Sequence, residues 1–310
     1  MGKVTLLRDR YADIPDLRFY GQFSASPSGE WYICWADCDL EFHSGLGGCR
    51  DSGHGLYVLY NKFQDRIVLV NKLERPQRAK VIDTGVFSIE DWCFGDQRKS
   101  KIYVISPTGE NLINKTFNGN MFNSDISASG NYLACQTAHN QNSSDGNLLT
   151  IFDIFEKKEL FSKNPVTGWA DEYVFVEDAP KFGVLHKDIG TYYYDINGNF
   201  LDEERYDEEQ LSCNKYEIVI LKAQDVLKSS DLDIKSAQKV INAIKHALDI
   251  LPKGEHHYVS WAALAFKIQG VAYEFLGNKV ESLYSFEKAL ELNPKIGVKK
   301  KIDKLRKILG

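Results

Sequence analysis

The sequence predicts a β domain of short strands followed by an α-helical domain. Three observations predict it. A strand–turn–strand unit occurs four times in the first two hundred residues. A Ser-x-Ser-Gly turn occurs twice, 101 positions apart. Two helical patterns meet inside Ser260–Pro294. At 310 residues there is room for about two domains, and the expected division is 1–207 and 208–310.

The four units are LYVLYNKFQDRIVLV from Leu56, IYVISPTGENLI from Ile102, LTIFDIFEKKELF from Leu149 and YYYDINGNFLDE from Tyr192. Each alternates apolar and polar residues, turns on Gly, Asn, Asp or Lys, and resumes. Tyr57, Tyr103, Thr150 and Tyr192 begin equivalent strands at intervals of 46, 47 and 42 residues. One four-stranded propeller blade occupies about 40 to 50 residues, so the period predicts blades. The second repeat pairs Ser26-Pro27-Ser28-Gly29-Glu30-Trp31-Tyr32 with Ser127-Ala128-Ser129-Gly130-Asn131-Tyr132-Leu133.

This Ser-x-Ser-Gly-x-aromatic form resembles the tight turn between the inner strands of WD40-like blades. No Gly-His and Trp-Asp pair stands at the blade ends, so the resemblance is to the propeller architecture, from about residue 20 to 207. It implies about four blades. So few blades leave an edge to protect, by closure or by a cover. An open set covered by the following helices is expected, because the helical part is too small to stand alone.

Within Ser260–Pro294, Phe266, Gly270, Tyr273 and Leu276 recur at helical spacing before the turn signal Gly277-Asn278. Val280, Leu283, Phe286, Ala289 and Leu290 recur after it, and Pro294 ends the run. Gly270 is expected to admit the paired helix closely, with Tyr273 and Phe286 filling the space between. The pattern resembles a tetratricopeptide repeat in its small residue, its aromatic three positions on, and its F-x-x-A-L-x-x-x-P ending. Ala247, Leu248 and Pro252 repeat that ending one unit earlier, after a helix that Asp233 caps. Tyr216–Lys228 reads as a helix, and VKKKIDKLRKIL as a capping helix with Ile302, Leu305 and Leu309 on one face. Such helix pairs imply a partner-binding surface.

The formal charge of -5 hides an asymmetry. Residues 211–310 hold 17 Lys+Arg against 11 Asp+Glu, which leaves a balance of -11 on the first 210 residues. That bias disfavours nucleic acid and favours a basic protein partner. The run Leu201–Gln210 reads as a solvated last strand and linker or as a docking site, with Asp202, Glu203, Glu204, Glu208 and Glu209 as its partner-binding candidates. No apolar run reaches the roughly 20 residues of a membrane span, and the first residues show no signal-peptide h-region. Six cysteines without a secretion signal read as reduced thiols of a cytoplasmic protein.

One cluster has metal-ligand chemistry: Cys34, Cys38, His43, Cys49 and His54. Cys34 lies 101 residues before Cys135, so both read as core residues of equivalent strands. Cys38, His43, Cys49 and His54 remain as candidate zinc ligands on an irregular glycine-rich loop. No G-x-S-x-G or P-loop motif occurs. Asp171, Glu172, Glu177 and Asp178 are expected at the two ends of the strand YVFV. Of Trp31, Trp35, Trp92, Trp169 and Tyr192-Tyr193-Tyr194, most are expected in the core and one or two exposed as anchors.

The sequence thus predicts a non-enzymatic protein-binding module. Its most specific form is a bacterial immunity-type protein that neutralises a basic toxin. The alternatives are a scaffold or adaptor subunit and a metal-binding enzyme or zinc-stabilised domain using the Cys38–His54 loop.

Overall fold

The computed structural model describes residues 3–7, 10–37, 52–94, 98–254 and 257–310. The chain divides into two compact units, Met1–Leu185 with Tyr192–Leu201, and His186–Thr191 with Asp202–Gly310. The main break therefore falls between Leu201 and Asp202, ahead of the expected boundary after 207.

The first unit contains four antiparallel sheets, each built from strands consecutive in sequence. The first sheet holds β1 (Thr5–Leu7), β2 (Tyr11–Ile14), β3 (Phe19–Ala25), β4 (Trp31–Ala36), β5 (Gly55–Asn61) and β6 (Arg66–Leu73) in that order. The second holds β7 (Pro76–Val81), β8 (Phe87–Asp91), β9 (Ser100–Ile105) and β10 (Asn111–Phe117). The third holds β11 (Met121–Ile126), β12 (Tyr132–Thr137), β13 (Leu149–Asp153) and β14 (Lys158–Lys163). The fourth holds β15 (Glu172–Val176), β16 (Lys181–His186) and β17 (Gly190–Asp195).

The equivalence predicted for Tyr57, Tyr103, Thr150 and Tyr192 is observed, since they lie on β5, β9, β13 and β17, the third blade strand of each sheet. The last unit departs from expectation. Its return strand shrinks to one bridge, Tyr194 to Phe200, across a tight turn in which Asp195 accepts the N–H groups of Asn197 and Asn199 (both 2.8 Å). Among the described residues the four sheets form an open set, and no ladder joins the fourth to the first.

The Ser-x-Ser-Gly turns link β3 to β4 and β11 to β12 with the same bonds. Gly29 and Gly130 take φ of 71° and 79° and donate N–H to Ser26 and Ser127 carbonyls, both at 2.9 Å. A side chain disfavours that backbone region, hence glycine. Ser26 and Ser127 hydroxyls accept the N–H of Trp31 (3.2 Å) and Tyr132 (3.0 Å). Ile82-Asp83-Thr84-Gly85 makes the same turn between β7 and β8, with Gly85 at φ 80°. Its sequence shares only the glycine.

The blades pack face to face. Ile33, Trp35, Tyr57 and Leu59 of the first sheet meet Ala79, Val81, Phe87 and Ile89 of the second. Cys34 and Cys135 are fully buried on β4 and β12, as the repeat predicts, and burial pushes the Cys34 thiol up to about 12.

The second unit contains α1 (Glu203–Gln210), α2 (Tyr216–Lys228), α3 (Ile234–Ile250), α4 (Tyr258–Phe275), α5 (Lys279–Leu292) and α6 (Lys299–Leu309). The acidic run, expected as strand and linker, is the helix α1. Glu, Gln and Arg are good helix formers, Arg205 bridges Asp202 (3.0 Å) and Glu209 (3.6 Å) along it, and Tyr206 is its buried anchor. Asp233 caps α3 by accepting the Ser236 N–H at 2.7 Å, and Asn278 caps α5. α2 packs on α3 and α4, α4 on α5, and α5 on α6. Gly270 and Phe286 meet as expected, and a Cβ at Gly270 would stand 2.6 Å from the Phe286 ring. Val280 and Leu309, placed on apolar faces by spacing, are exposed, because each helix buries a narrower stripe than its sequence offers.

Gly270→Ala is expected to destabilise the helical unit by about 1–3 kcal/mol despite the gain in helix propensity, because the Phe286 ring must move. Phe286→Ala should cost about 3–5 kcal/mol. Urea unfolding followed by circular dichroism checks both, and a stabilised Gly270→Ala would show that the ring yields freely.

Candidate functional site

Side-chain bonds between sheets define one rim of the β unit. Trp35, near the end of β4, donates its indole N–H to the Gln77 carbonyl at the start of β7 (2.9 Å). Glu90, near the end of β8, accepts the Ser124 hydroxyl of β11 at 2.7 Å. Trp169, shortly before β15, donates its indole N–H to Thr137 O at the end of β12 (3.2 Å). The starts of β7, β11 and β15 therefore lie on the same rim as the ends of β4, β8 and β12. The opposite rim carries the Ser-x-Ser-Gly turns, which are also tied across blades. Ser28 N–H reaches Asp83 Oδ1 at 2.9 Å, and Ser129 Oγ reaches Glu177 Oε1 at 2.5 Å. The Ser28 backbone bond holds the Asp83 carboxyl below its ordinary pKa.

Large aromatics are exposed on the first rim. Trp92 directly follows β8 and is 40% exposed, Phe122 is the second residue of β11 at 39%, and Trp169 precedes β15 at 44%. Phe122 and Trp169 stack, with centroids 5.1 Å apart and planes 22° from parallel. Tyr20, the second residue of β3, is exposed and stacks on Tyr11 at 5.5 Å. Trp92 donates its indole N–H to Glu90 Oε2 at 3.2 Å. The N–H groups of Trp92 and Trp169 are thus bonded within the fold, which leaves ring faces to the solvent.

Beneath the rim, a polar network ties the blades. Glu90 is fully buried with Ser124, Trp92 and, at 3.8 Å, the Arg78 guanidinium. Burial raises its carboxyl pKa, against the lowering effects of Ser124, Arg78 and Trp92. The Tyr173 hydroxyl meets Asn123 Oδ1 and Gln136 Oε1, while Gln136 Oε1 also accepts the Ala170 N–H at 2.7 Å. A cavity of about 240 Å³ between the inner strands is lined by Ser24, Arg78, Lys80, Asp125, Glu172 and Tyr173 among others. Lys80 pairs with Asp125 there at 2.5 Å.

The acidic-run candidates lie on or beside α1, where most of their charge is paired. Asp202 and Glu209 bind Arg205, and Glu208 binds Lys239 at 2.7 Å. Glu203 and Glu204 are exposed and make no ion pair with a described residue. Glu208, Lys239, Leu211 and His246 line a groove of about 350 Å³ between α1 and α3.

Of the zinc candidates, Cys38, His43 and Cys49 lie outside the described residues, and His54 is half-buried just before β5. Among the described residues no group of three or more His, Cys, Asp or Glu could hold a metal ion. Asp171 and Glu172 stand at the start of β15, with Glu177 and Asp178 past its end, as the sequence predicts.

Trp92 and Trp169 are the two exposed residues among these tryptophans. Phe122 and Tyr20 are missed by sequence reading. The alternation of β11 was the available signal, since Met121 and Asn123 face inward and leave Phe122 outward.

No protein-family model and no curated protein matches the chain. Among solved structures it is similar to the Cps50 (Swd1) β-propeller domain of Myceliophteria thermophila, with 11% identity and a TM-score of 0.36 over 62% of this chain and 61% of that one. A mitotic checkpoint complex structure matches at 11% and 0.35, over 64% of this chain and 60% of that one. The C-terminal WD40 domain of Sif2 matches at 13% and 0.35, over 58% and 44%. The chain thus spans less than two thirds of each of these chains. Among the described residues no helix is long and apolar enough to cross a membrane.

A raised folded-state pKa at Glu90 means that the native state holds its proton more tightly than the unfolded chain. Glu90 therefore favours folding below the ordinary carboxylate pKa, and that contribution fades as pH rises toward its folded value. Glu90→Gln should gain stability relative to the unaltered protein between about pH 4 and pH 7. Thermal melts of both across that range check it, and a difference independent of pH would contradict it.

Proposed function

We propose that the protein is a non-catalytic protein-binding module that docks its partner on the aromatic rim of the β unit. One observation carries the reading. Trp92, Phe122 and Trp169 keep about two fifths of their surface in solvent on the same rim. Exposed aromatics held rigidly by the fold bury much area on binding at a small entropy cost, which makes them effective anchors.

The more specific reading is an immunity-type protein that blocks a basic toxin, supported by the -11 balance of the first 210 residues. Steered association would then be fast and salt-dependent. A scaffold role differs only in what the partner does. The exposed pair Glu203 and Glu204 is a second contact candidate, whereas Asp202, Glu208 and Glu209 already serve α1 and α3.

The test uses the tagged full chain as bait in lysate of the source cell, beside a Phe122→Ser/Trp169→Ser bait and a Glu203→Lys/Glu204→Lys bait. One stoichiometric partner lost by the first variant is expected, with a smaller loss for the second. Equal capture by all three would refute the rim as the docking face. Purified partner, assayed for toxicity with and without this protein, then separates immunity from scaffold, because an unaffected toxin ends the immunity reading.

A further inference from the structure

We propose that the second rim, which carries the Ser-x-Ser-Gly turns, rests on a lipid bilayer with neutral headgroups, and that Phe63 and Phe155 insert into it as two rigid points. The inference concerns the rim opposite the docking face and stands independently of that reading.

The first observation is a repeated turn. Phe63 lies between β5 and β6, Phe155 lies between β13 and β14, and they are 70% and 83% exposed. Both turns are built alike. Asn61 Oδ1 accepts the Gln64 N–H at 2.9 Å, and Asp153 Oδ1 accepts the Glu156 N–H at 2.8 Å. Asp65 and Lys157 follow, with φ of 45° and 50°. Each turn is also tied to the Ser-x-Ser-Gly turn of its own sheet. Lys62 N–H reaches the Glu30 carbonyl and Ile154 N–H the Asn131 carbonyl, both at 2.8 Å. The backbone therefore holds both phenylalanines out from the same rim. Neither makes a ring contact with a described residue. The fourth sheet adds Ile196, 40% exposed in the turn after β17.

Spacing and charge select the occupant. The rings belong to the first and third sheets. The equivalent turn of the second sheet, Ser106-Pro107-Thr108-Gly109, carries no aromatic or aliphatic side chain beyond its proline. A stable protein interface covers roughly 800 Å² per partner around a contiguous buried core, which separate points do not provide. A bilayer interface takes apolar groups singly, at any spacing within its plane. Charge favours neither sign of partner. Residues 61–66 and 153–158 hold Lys62, Arg66, Lys157 and Lys158 against Asp65, Asp153 and Glu156. Several of these are already engaged. Asp65 accepts the Tyr60 hydroxyl at 2.7 Å, and Lys157 pairs with Glu110 at 2.5 Å. The attraction that remains is transfer of the rings out of water, which does not depend on headgroup charge.

Flotation of the full chain with phosphatidylcholine vesicles tests the proposal. The unaltered protein is expected to float with the lipid. Phe63→Ser and Phe155→Ser should each lower the partition about tenfold, and the double variant should stay in the aqueous fraction. Ile234→Ser removes a residue of α3 that is 74% exposed and should float like the unaltered protein. Adding phosphatidylserine or raising the salt should change binding less than losing one ring does. Phe155→Trp should still bind, and lipid brominated on its acyl chains should quench its emission beyond the background of the five native tryptophans.

Failure to float, flotation that survives the double variant, or flotation that salt abolishes would each overturn the proposal. So would a lysate partner held by the unaltered bait and lost by a Phe63→Ser/Phe155→Ser bait in the absence of lipid, which would assign the two points to a protein. The docking face is judged separately, because the Phe122→Ser/Trp169→Ser bait keeps or loses its partner whatever the vesicles show.

Discussion

Both faces of each blade carry apolar side chains, and that constraint shapes the β unit. In β4, Ile33 and Trp35 face the second sheet, while Tyr32, Cys34 and Ala36 face the other way, into a core with Ala12, Ile14 and Val58. A sheet that is apolar on both sides must be covered on both sides, so blades stack in series. Stacking then has to be secured at the rims, where strands end and backbone groups lose their partners. The cross-blade bonds of Trp35, Ser124, Trp169, Ser28 and Ser129 meet that need, in part with aromatic residues too large to be covered completely. The candidate docking face is thus a consequence of how blades are joined.

Polar chemistry inside the unit serves the same end. Glu90, Asn123, Gln136 and Tyr173 are buried, and the bonds of each cross from one sheet to another. Their cost is desolvation, visible in the raised pKa of Glu90, and their return is a fixed blade register. In the helical unit, small residues have that role. Gly270 and Ala289 allow close approach around Phe286, and Ser282 donates its hydroxyl to the Gly270 carbonyl at 2.8 Å.

The electrostatic reading of the sequence changes most. A dense acidic run suggests a docking site when read as a string, but on a helix the same residues meet Arg205 and Lys239, and three of the five candidate carboxylates are neutralised in place. Linear charge density does not report this, since neutralisation and clustering are properties of neighbours in space.

Sequence alone determined the elements that depend on short-range chemistry. Strand alternation and turn residues gave the four repeating units. A glycine at positive φ gave the Ser-x-Ser-Gly turns. The cap at Asp233, the turn signal Gly277-Asn278 and the Gly270–Phe286 spacing gave the helices. Only the tertiary structure decided the rest. It turned the acidic run into a helix, because ion pairs and the buried Tyr206 outweigh solvation of the charges. It reduced the last return strand to a single bridge, because the chain enters α1 at Glu203, three residues after Phe200. It also brought Phe122 against Trp169, 47 positions apart, because β11 and β15 begin adjacent blades on one rim. Local rules act over a few residues, whereas the candidate site is formed by packing between sheets.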